Sequence, residues 1–221
     1  MKIIKPWIEI KQFDGISMMK NLEMAAKQCY RTQSNITDDS YKHFLRNCIN
    51  RGHESVIEHE KISIRMCCDI GVYKDLTRHR HASFSIESTR YCNYSKDKFG
   101  NELTFIEPCN IENGTTEYAQ WYNLMNIVEK TYNEMARLAC KPDQLRLILP
   151  HSVAAEVYMT ANMREWRHIF SLRAQKETHP AVQQVMIPLL LYFKEQMPEL
   201  FDEIPYNQEF DKNKYAEIKI I

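Results

Sequence analysis

From position 78 to 91 the chain reads Arg78-His79-Arg80-His81-Ala82-Ser83-Phe84-Ser85-Ile86-Glu87-Ser88-Thr89-Arg90-Tyr91. Three arginines, two histidines and three serines fall within these fourteen residues. Arginine offers a planar fork of donors that matches phosphate and carboxylate oxygens. Serine hydroxyls add neutral donors. The chemistry such a cluster suits is the holding of a phosphomonoester or a pyrophosphate. The competing reading is a solvated charged turn, and composition alone leaves both open.

Several elements must position this cluster. Trp7 to Phe13 alternates imperfectly and reads as a strand. Ser17 is expected to cap a helix running to about Tyr30, and a second helix is expected after Asp38 and Asp39, ending at Gly52. Glu60 to Ile70 sets Ile62, Ile64 and Met66 against Lys61, Ser63 and Arg65, the pattern of a half-buried strand. Val72 to His79 reads as helical, and Leu103 to Ile106 as a short strand. Thr115 to Cys140 is the clearest helix. Its residues Trp121, Leu124, Met125, Val128, Tyr132, Met135 and Leu138 recur at helical steps, which marks a core or subunit-contact face. A short helical turn is expected over Leu145 to Leu149, between Pro142 and Pro150. Ser152 to Thr160 reads as a strand and Asn162 to Ala174 as a helix. Thr178 is expected to cap a last helix that ends before Pro198. The polar stretch 207–221 is expected to be a loosely held tail after a single domain over 1–206. These elements predict an α+β domain, with long helices and a small antiparallel sheet.

Composition narrows the function classes. Lys plus Arg and Asp plus Glu both number 29, so no global field draws nucleic acid or an acidic membrane. The seven cysteines are scattered with no C-x-x-C pair, as reduced thiols of a cytoplasmic protein would be. Neither a secretory leader nor a spanning helix is expected. With only five glycines, neither a Rossmann nor a P-loop phosphate turn is present. His79 and His81 form an H-x-H, and His53 and His59 lie six apart. None has a Cys or carboxylate at a standard ligand spacing, so no metal site is expected. Cys67-Cys68 reads as a buried strand pair, and nothing selects Cys92 or Cys109 as a nucleophile.

Spacing favours the binding reading. Arg78-His79-Arg80, seven residues and then Ser88 matches the R-H-R-x7-S signature of the flavin-dependent thymidylate synthases. Such a match arises by chance at on the order of 10⁻³ in a chain of this length. Gly52-His53-Glu54-Ser55-Val56-Ile57-Glu58-His59 resembles that family's G-H-x-S/T-x-x-E-H segment. Leu145 to Pro150 resembles its A/L-R-x-x-L-P segment. Asn162 to Arg173 resembles its N-x-R-x-x-x-[N/H]-F-x-x-L-R helix. From about Trp7 to Met197 the order of segments is similar.

The resemblance implies that family's fold and its reaction, the reductive methylation of dUMP to dTMP. FAD would be the cofactor, with NADPH and 5,10-methylenetetrahydrofolate as co-substrates. It implies a homotetramer with shared active sites. Ser55, Arg78, His79, Arg80, Asn162, Arg164, His168 and His53 would lie at the flavin. Asp75, Arg78, Glu87, Ser88, Thr89, Arg90, Arg146 and Arg173 would lie at the nucleotide. Arg173 would stabilise an anionic uracil ring, with Ser88 beside it and no covalent nucleophile from the protein. Ile86 stands where the family has Glu or Gln, and Asp75 where it often has Gln. One extra residue precedes His179, which leaves that residue without an assigned role. The alternatives are a relative that keeps FAD and a nucleotide but has lost or changed the methyl transfer, and a nucleic-acid-binding module; the neutral charge opposes the latter.

Overall fold

The computed structural model describes residues 1–221, apart from the side chain at position 99. The first elements are β1 (Lys2–Ile4), β2 (Trp7–Ile10), α1 (Gly15–Lys27) and α2 (Ser40–Asn50). A 3₁₀ segment, Glu54–His59, leads into β3 (Lys61–Asp69), α3 (Ile70–Leu76), β4 (Ser83–Ile86) and β5 (Thr104–Ile106). Next come α4 (Thr116–Arg137), α5 (Pro142–Leu145) and a 3₁₀ turn, Arg146–Ile148. The chain ends with β6 (Ala154–Asn162), α6 (Met163–Arg173), α7 (Pro180–Gln196), α8 (Pro198–Phe201) and β7 (Glu217–Ile220).

The main sheet has the order β4-β6-β3-β2-β7. Its centre is the antiparallel pair β3 and β6, in register from Lys61 opposite Asn162 to Asp69 opposite Ala154. That register puts Ile62, Ile64 and Met66 on one face with Val157, Met159 and Ala161, all buried. This face packs against α6 and α7, where Trp166 meets Phe170 and Phe193, and these two meet Phe201, in a fully buried aromatic cluster. On the other face, Arg65 bridges Glu9 at 2.7 Å and Glu156 at 2.5 Å over the Trp7 ring. α1 meets the end of α7 so closely that a Cβ at Gly15 would collide with the Gln196 carbonyl oxygen.

Several expectations need correction. The sheet is mixed, because β7 joins β2 in parallel, and β1 and β5 form a separate parallel pair. Asp14, not Ser17, caps α1: its carboxylate accepts the Ser17 N–H at 3.0 Å. His179, not Thr178, caps α7, with Nδ1 accepting the Ala181 N–H at 3.2 Å. Residues 207–221 are not loosely held. Asn207 N–H donates to the Ala174 carbonyl, Ala216 is buried, and β7 gives β2 its outer partner. Their polar composition conceals this, because parallel pairing draws on backbone groups.

β4 lies inside the polar cluster. Phe84 and Ile86 pack on the core while Ser83 and Ser85 are exposed, a two-residue period masked by the charged residues around it. A second core forms where α4 packs over β5, around Tyr94, Phe105, Met125 and Tyr132. Tyr122, Leu124, Ile127 and Leu138, in and just beyond α4, stay exposed. No helix among the described residues is long and apolar enough to cross a membrane.

Candidate active site

α6 organises the site. Asn162 caps it, with Oδ1 accepting the Glu165 N–H at 2.9 Å. Trp166, Ile169 and Phe170 face the core and hold the helix down. Arg164 and His168 are four apart and share the outward face, with Arg167 and Ser171 beside them. Arg173 ends the helix, where a cation also complements the macrodipole.

Arg173 is held on two edges. Its Nε donates to His79 Nε2 at 3.0 Å, and its Nη2 donates to the Asp75 carbonyl at 3.0 Å. His79 is buried. Its other nitrogen, Nδ1, lies 3.3 Å from Glu165 Oε1, and its ring meets the His168 ring edge to face at 5.5 Å. Burial, followed by the Arg173 and His168 charges, lowers the His79 pKa from 6.5 to about 4. The ring is therefore neutral at pH 7, as an acceptor for the Arg173 N–H must be.

This has a consequence for stability. The unfolded chain protonates His79 below about pH 6.5, whereas the folded chain resists until about pH 4. The contribution is complete above the unfolded value and is lost as pH falls through that window. Its size is about 3 kcal/mol. Urea unfolding between pH 7 and pH 4 should show a fall in stability about that much larger for the wild-type protein than for His79→Gln. Parallel pH curves would refute it.

Two clefts flank this chain of contacts. The first, of about 590 Å³, is lined by Glu54, Glu58, His81, Asn162, Arg164 and Arg167, and also by Glu165 and His168. Arg164 pairs with Glu58 at 2.6 Å and Glu54 at 3.5 Å. Arg167 pairs with Glu203 at 2.5 Å and donates to the Leu200 carbonyl, yet its buried Nε lacks a hydrogen-bond partner. Size and donor chemistry fit a large anionic cofactor such as FAD. Arg164, Arg167, His168 and Asn162 would hold it, with the acidic partners giving way.

The second cleft, of about 510 Å³, is lined by Asp69, Lys74, Asp75, Arg78, Trp121, His151 and His179, among others. Arg78 Nε stands 4.0 Å from Asp75 Oδ1, so a guanidinium offsets that carboxylate. Asp69 is pushed up by burial and held back by the Val72 and Gly71 N–H groups and by His179 and His151.

Other expected site residues lie elsewhere in the chain. Ser55, His53 and Arg80 are exposed and line neither cleft. Ser88, Thr89, Arg90 and Arg146 also line neither. Ser88 Oγ accepts the Arg90 N–H at 3.4 Å, and the Arg90 guanidinium lies over the Tyr91 ring. Glu87 turns away from both clefts, and Oε2 accepts the Glu156 N–H at 3.2 Å. Ile86 packs on the core rather than toward a ligand. Glu165, Arg167, His81, Glu54 and Glu58 escape motif reasoning as site residues. Glu165 and His168 are three apart on α6, a spacing that could have signalled a shared face.

Burial pushes the Cys67 thiol up to about 12 and Cys109 up to about 11. Burial also raises Cys68 well above the ordinary thiol value, and Cys92 is raised by burial and by Glu87. These four are poor thiolates. Among the described residues, one group has metal-ligand spacing: His79, Glu165 and His168, with donor atoms within 4.8 Å of one another. His79 could ligate only through Nδ1. Accepting at Nε2 as well would leave the ring without any proton, so His79 is not free to ligate a metal while Arg173 stays in place.

Comparison with known proteins adds the following. The model of the thymidylate synthase complementing protein family matches residues 16–199. A flavin-dependent thymidylate synthase of Pyrococcus abyssi is 31% identical over 157 residues, covering 70% of this chain and 63% of that protein. One of Corynebacterium aurimucosum is 24% identical over 194 residues, covering 82% and 78%. The match thus spans about 63% of the length of the Pyrococcus relative. A crystal structure of the UMP/dUMP methylase PolB from Streptomyces cacaoi, bound with 5-Br dUMP, has a TM-score of 0.72 at 17% identity. It covers 91% of this chain and 96% of that one, a likeness of fold.

Proposed function

This chain belongs to the thymidylate synthase complementing protein family, and from that premise we propose that it is a flavin-dependent thymidylate synthase. The reaction is the reductive methylation of dUMP to dTMP, with 5,10-methylenetetrahydrofolate as carbon donor and NADPH as reductant. The carrying observation is Arg173. Its guanidinium is fastened to His79, whose neighbours line the first cleft, and to Asp75, which lines the second.

In this reading the first cleft takes FAD, and the second takes the nucleotide. Arg164 and Arg167 bind the cofactor's phosphates, and Asn162 and His168 orient it. Arg78 neutralises the nucleotide's charge beside Asp75. C5 of uracil is a weak nucleophile, and alkylation there commonly begins with a cysteine adduct at C6. The raised thiols support a route without one. Arg173 instead places a fixed positive charge where the ring carries negative charge in the transition state. Bound flavin supplies the hydride that completes the methyl group.

Ser88, Thr89, Arg90 and Arg146 line neither cleft, which supports a shared site in which they serve a neighbouring protomer. The exposed Tyr122, Leu124, Ile127 and Leu138 offer an apolar face for a homotetramer. A compartment without disulfide formation, such as the cytoplasm, suits the free cysteines.

The test mixes purified protein with FAD, NADPH, methylenetetrahydrofolate and dUMP without oxygen. Mass spectrometry should detect dTMP. If flavin is reduced and no dTMP forms, the methylation reading fails, and Asp75 in the second cleft points to a different nucleotide.

A further inference from the structure

We propose that Glu165 is a positioning residue that aims Arg173 by dictating which nitrogen of His79 carries the proton. The proposal rests on the function above for its catalytic consequence. Its structural content stands apart from it.

Glu165 and His79 are both buried, at 7% and 5% exposure. Their closest approach is Nδ1 to Oε1 at 3.3 Å. On the far side of the ring, Arg173 Nε donates to Nε2 at 3.0 Å. A neutral imidazole has one donor and one acceptor. A proton on Nε2 would set two donors against each other across that contact, and it would leave the Glu165 carboxylate facing a lone pair. A proton on Nδ1 satisfies both neighbours. The Arg173 donor and the carboxylate favour the same tautomer, and Glu165 fixes it from the side of the ring opposite Arg173.

A buried carboxylate without a counter-charge is costly. Here the Arg173 guanidinium balances it through the neutral ring, so the three groups form one electrostatic unit. Asp75 completes the restraint by accepting from Nη2 at 3.0 Å. With Nε and one Nη2 N–H occupied, rotation of the guanidinium plane is blocked. Nη1 has no partner among the described residues and remains for substrate. The Glu165 side chain also borders the first cleft, but it reaches Arg173 only through His79. The same arrangement, a carboxylate orienting a histidine that orients a working group, recurs in catalytic and metal sites.

The test uses flavin-loaded protein with ¹⁵N-labelled histidine and arginine. In the wild-type protein, His79 should carry its proton on Nδ1, with Arg173 Nε–H shifted by its bond to Nε2. Glu165→Gln keeps an acceptor and should keep both signals, with kcat within about threefold of wild type. Glu165→Leu removes the acceptor without leaving a cavity. It should shift the tautomer toward Nε2, free the Arg173 Nε–H signal and lower kcat about 10- to 100-fold. The flavin spectrum and KM for dUMP should stay near wild-type values. A wild-type His79 protonated at Nε2 overturns the proposal without any variant. So does a Leu variant that keeps the wild-type tautomer or matches the Gln variant in kcat. If the wild-type protein forms no dTMP, the proposed function fails, while the two nitrogen signals still decide whether Glu165 positions Arg173.

Discussion

Replacing Arg173 with alanine should lower the rate of dTMP formation by about 10²- to 10³-fold, while the purified protein keeps its flavin. The size follows from what the side chain supplies. A guanidinium held on two edges, by His79 and by the Asp75 carbonyl, needs little reorganisation when charge develops on the uracil ring. No cysteine substitutes for it, because burial raises the thiols of Cys67, Cys68 and Cys109 away from the reactive thiolate form. Flavin retention is expected because Arg164 and Arg167, not Arg173, line the first cleft. Arg173→Lys restores the charge without the planar fork and should recover only part of the rate. Rates of dTMP formation under saturating dUMP, beside the flavin absorbance of each variant, decide the matter. An alanine variant that keeps a third or more of the wild-type rate would remove Arg173 from the chemistry.

The second large effect is on stability. Trp166→Ala should cost about 3–5 kcal/mol. Trp166 is fully buried, and its ring stacks on Phe170 at 5.5 Å and meets Phe193 at 5.4 Å. Its Nε1–H donates to the Ile62 carbonyl at 3.1 Å, which ties α6 to the edge of β3. Alanine would open a cavity, unpair that carbonyl and loosen the helix that carries Arg164, Glu165, His168 and Arg173. Urea unfolding at pH 7 measures the loss. A change below about 1 kcal/mol would mean that α6 is held by its other contacts.

The parts of the site that lie within one element are legible in the sequence. Arg164 and His168 share a face because four residues nearly complete a helical turn. The alternation of Ile62, Ile64 and Met66 places those side chains in the core, and the register of β3 with β6 agrees. The run from Asn162 to Ala174 reads as a helix, and the structure contains one over Met163–Arg173, with Asn162 as its cap. Cap residues were less legible. Asp14 and His179 displace Ser17 and Thr178 because neighbouring polar residues compete for the same N–H groups.

Local spacing thus carries the family motifs, the helices and the two central strands, though not their pairing, since each depends on neighbours within a few residues. It also carries the unusual residues Asp75 and Ile86. Tertiary structure alone decides which motif residues meet. Arg173 finds His79 across 94 residues of chain, and Glu165 meets the same ring from within its own helix. Arg78 and His81 are close in sequence yet line different clefts. β7 joins the sheet through backbone pairing that its polar side chains do not announce. The physical reason is common to all of these. Periodicity reports which way a side chain faces, but the partner it faces is chosen by packing, and packing is settled only when the whole chain has closed around its core.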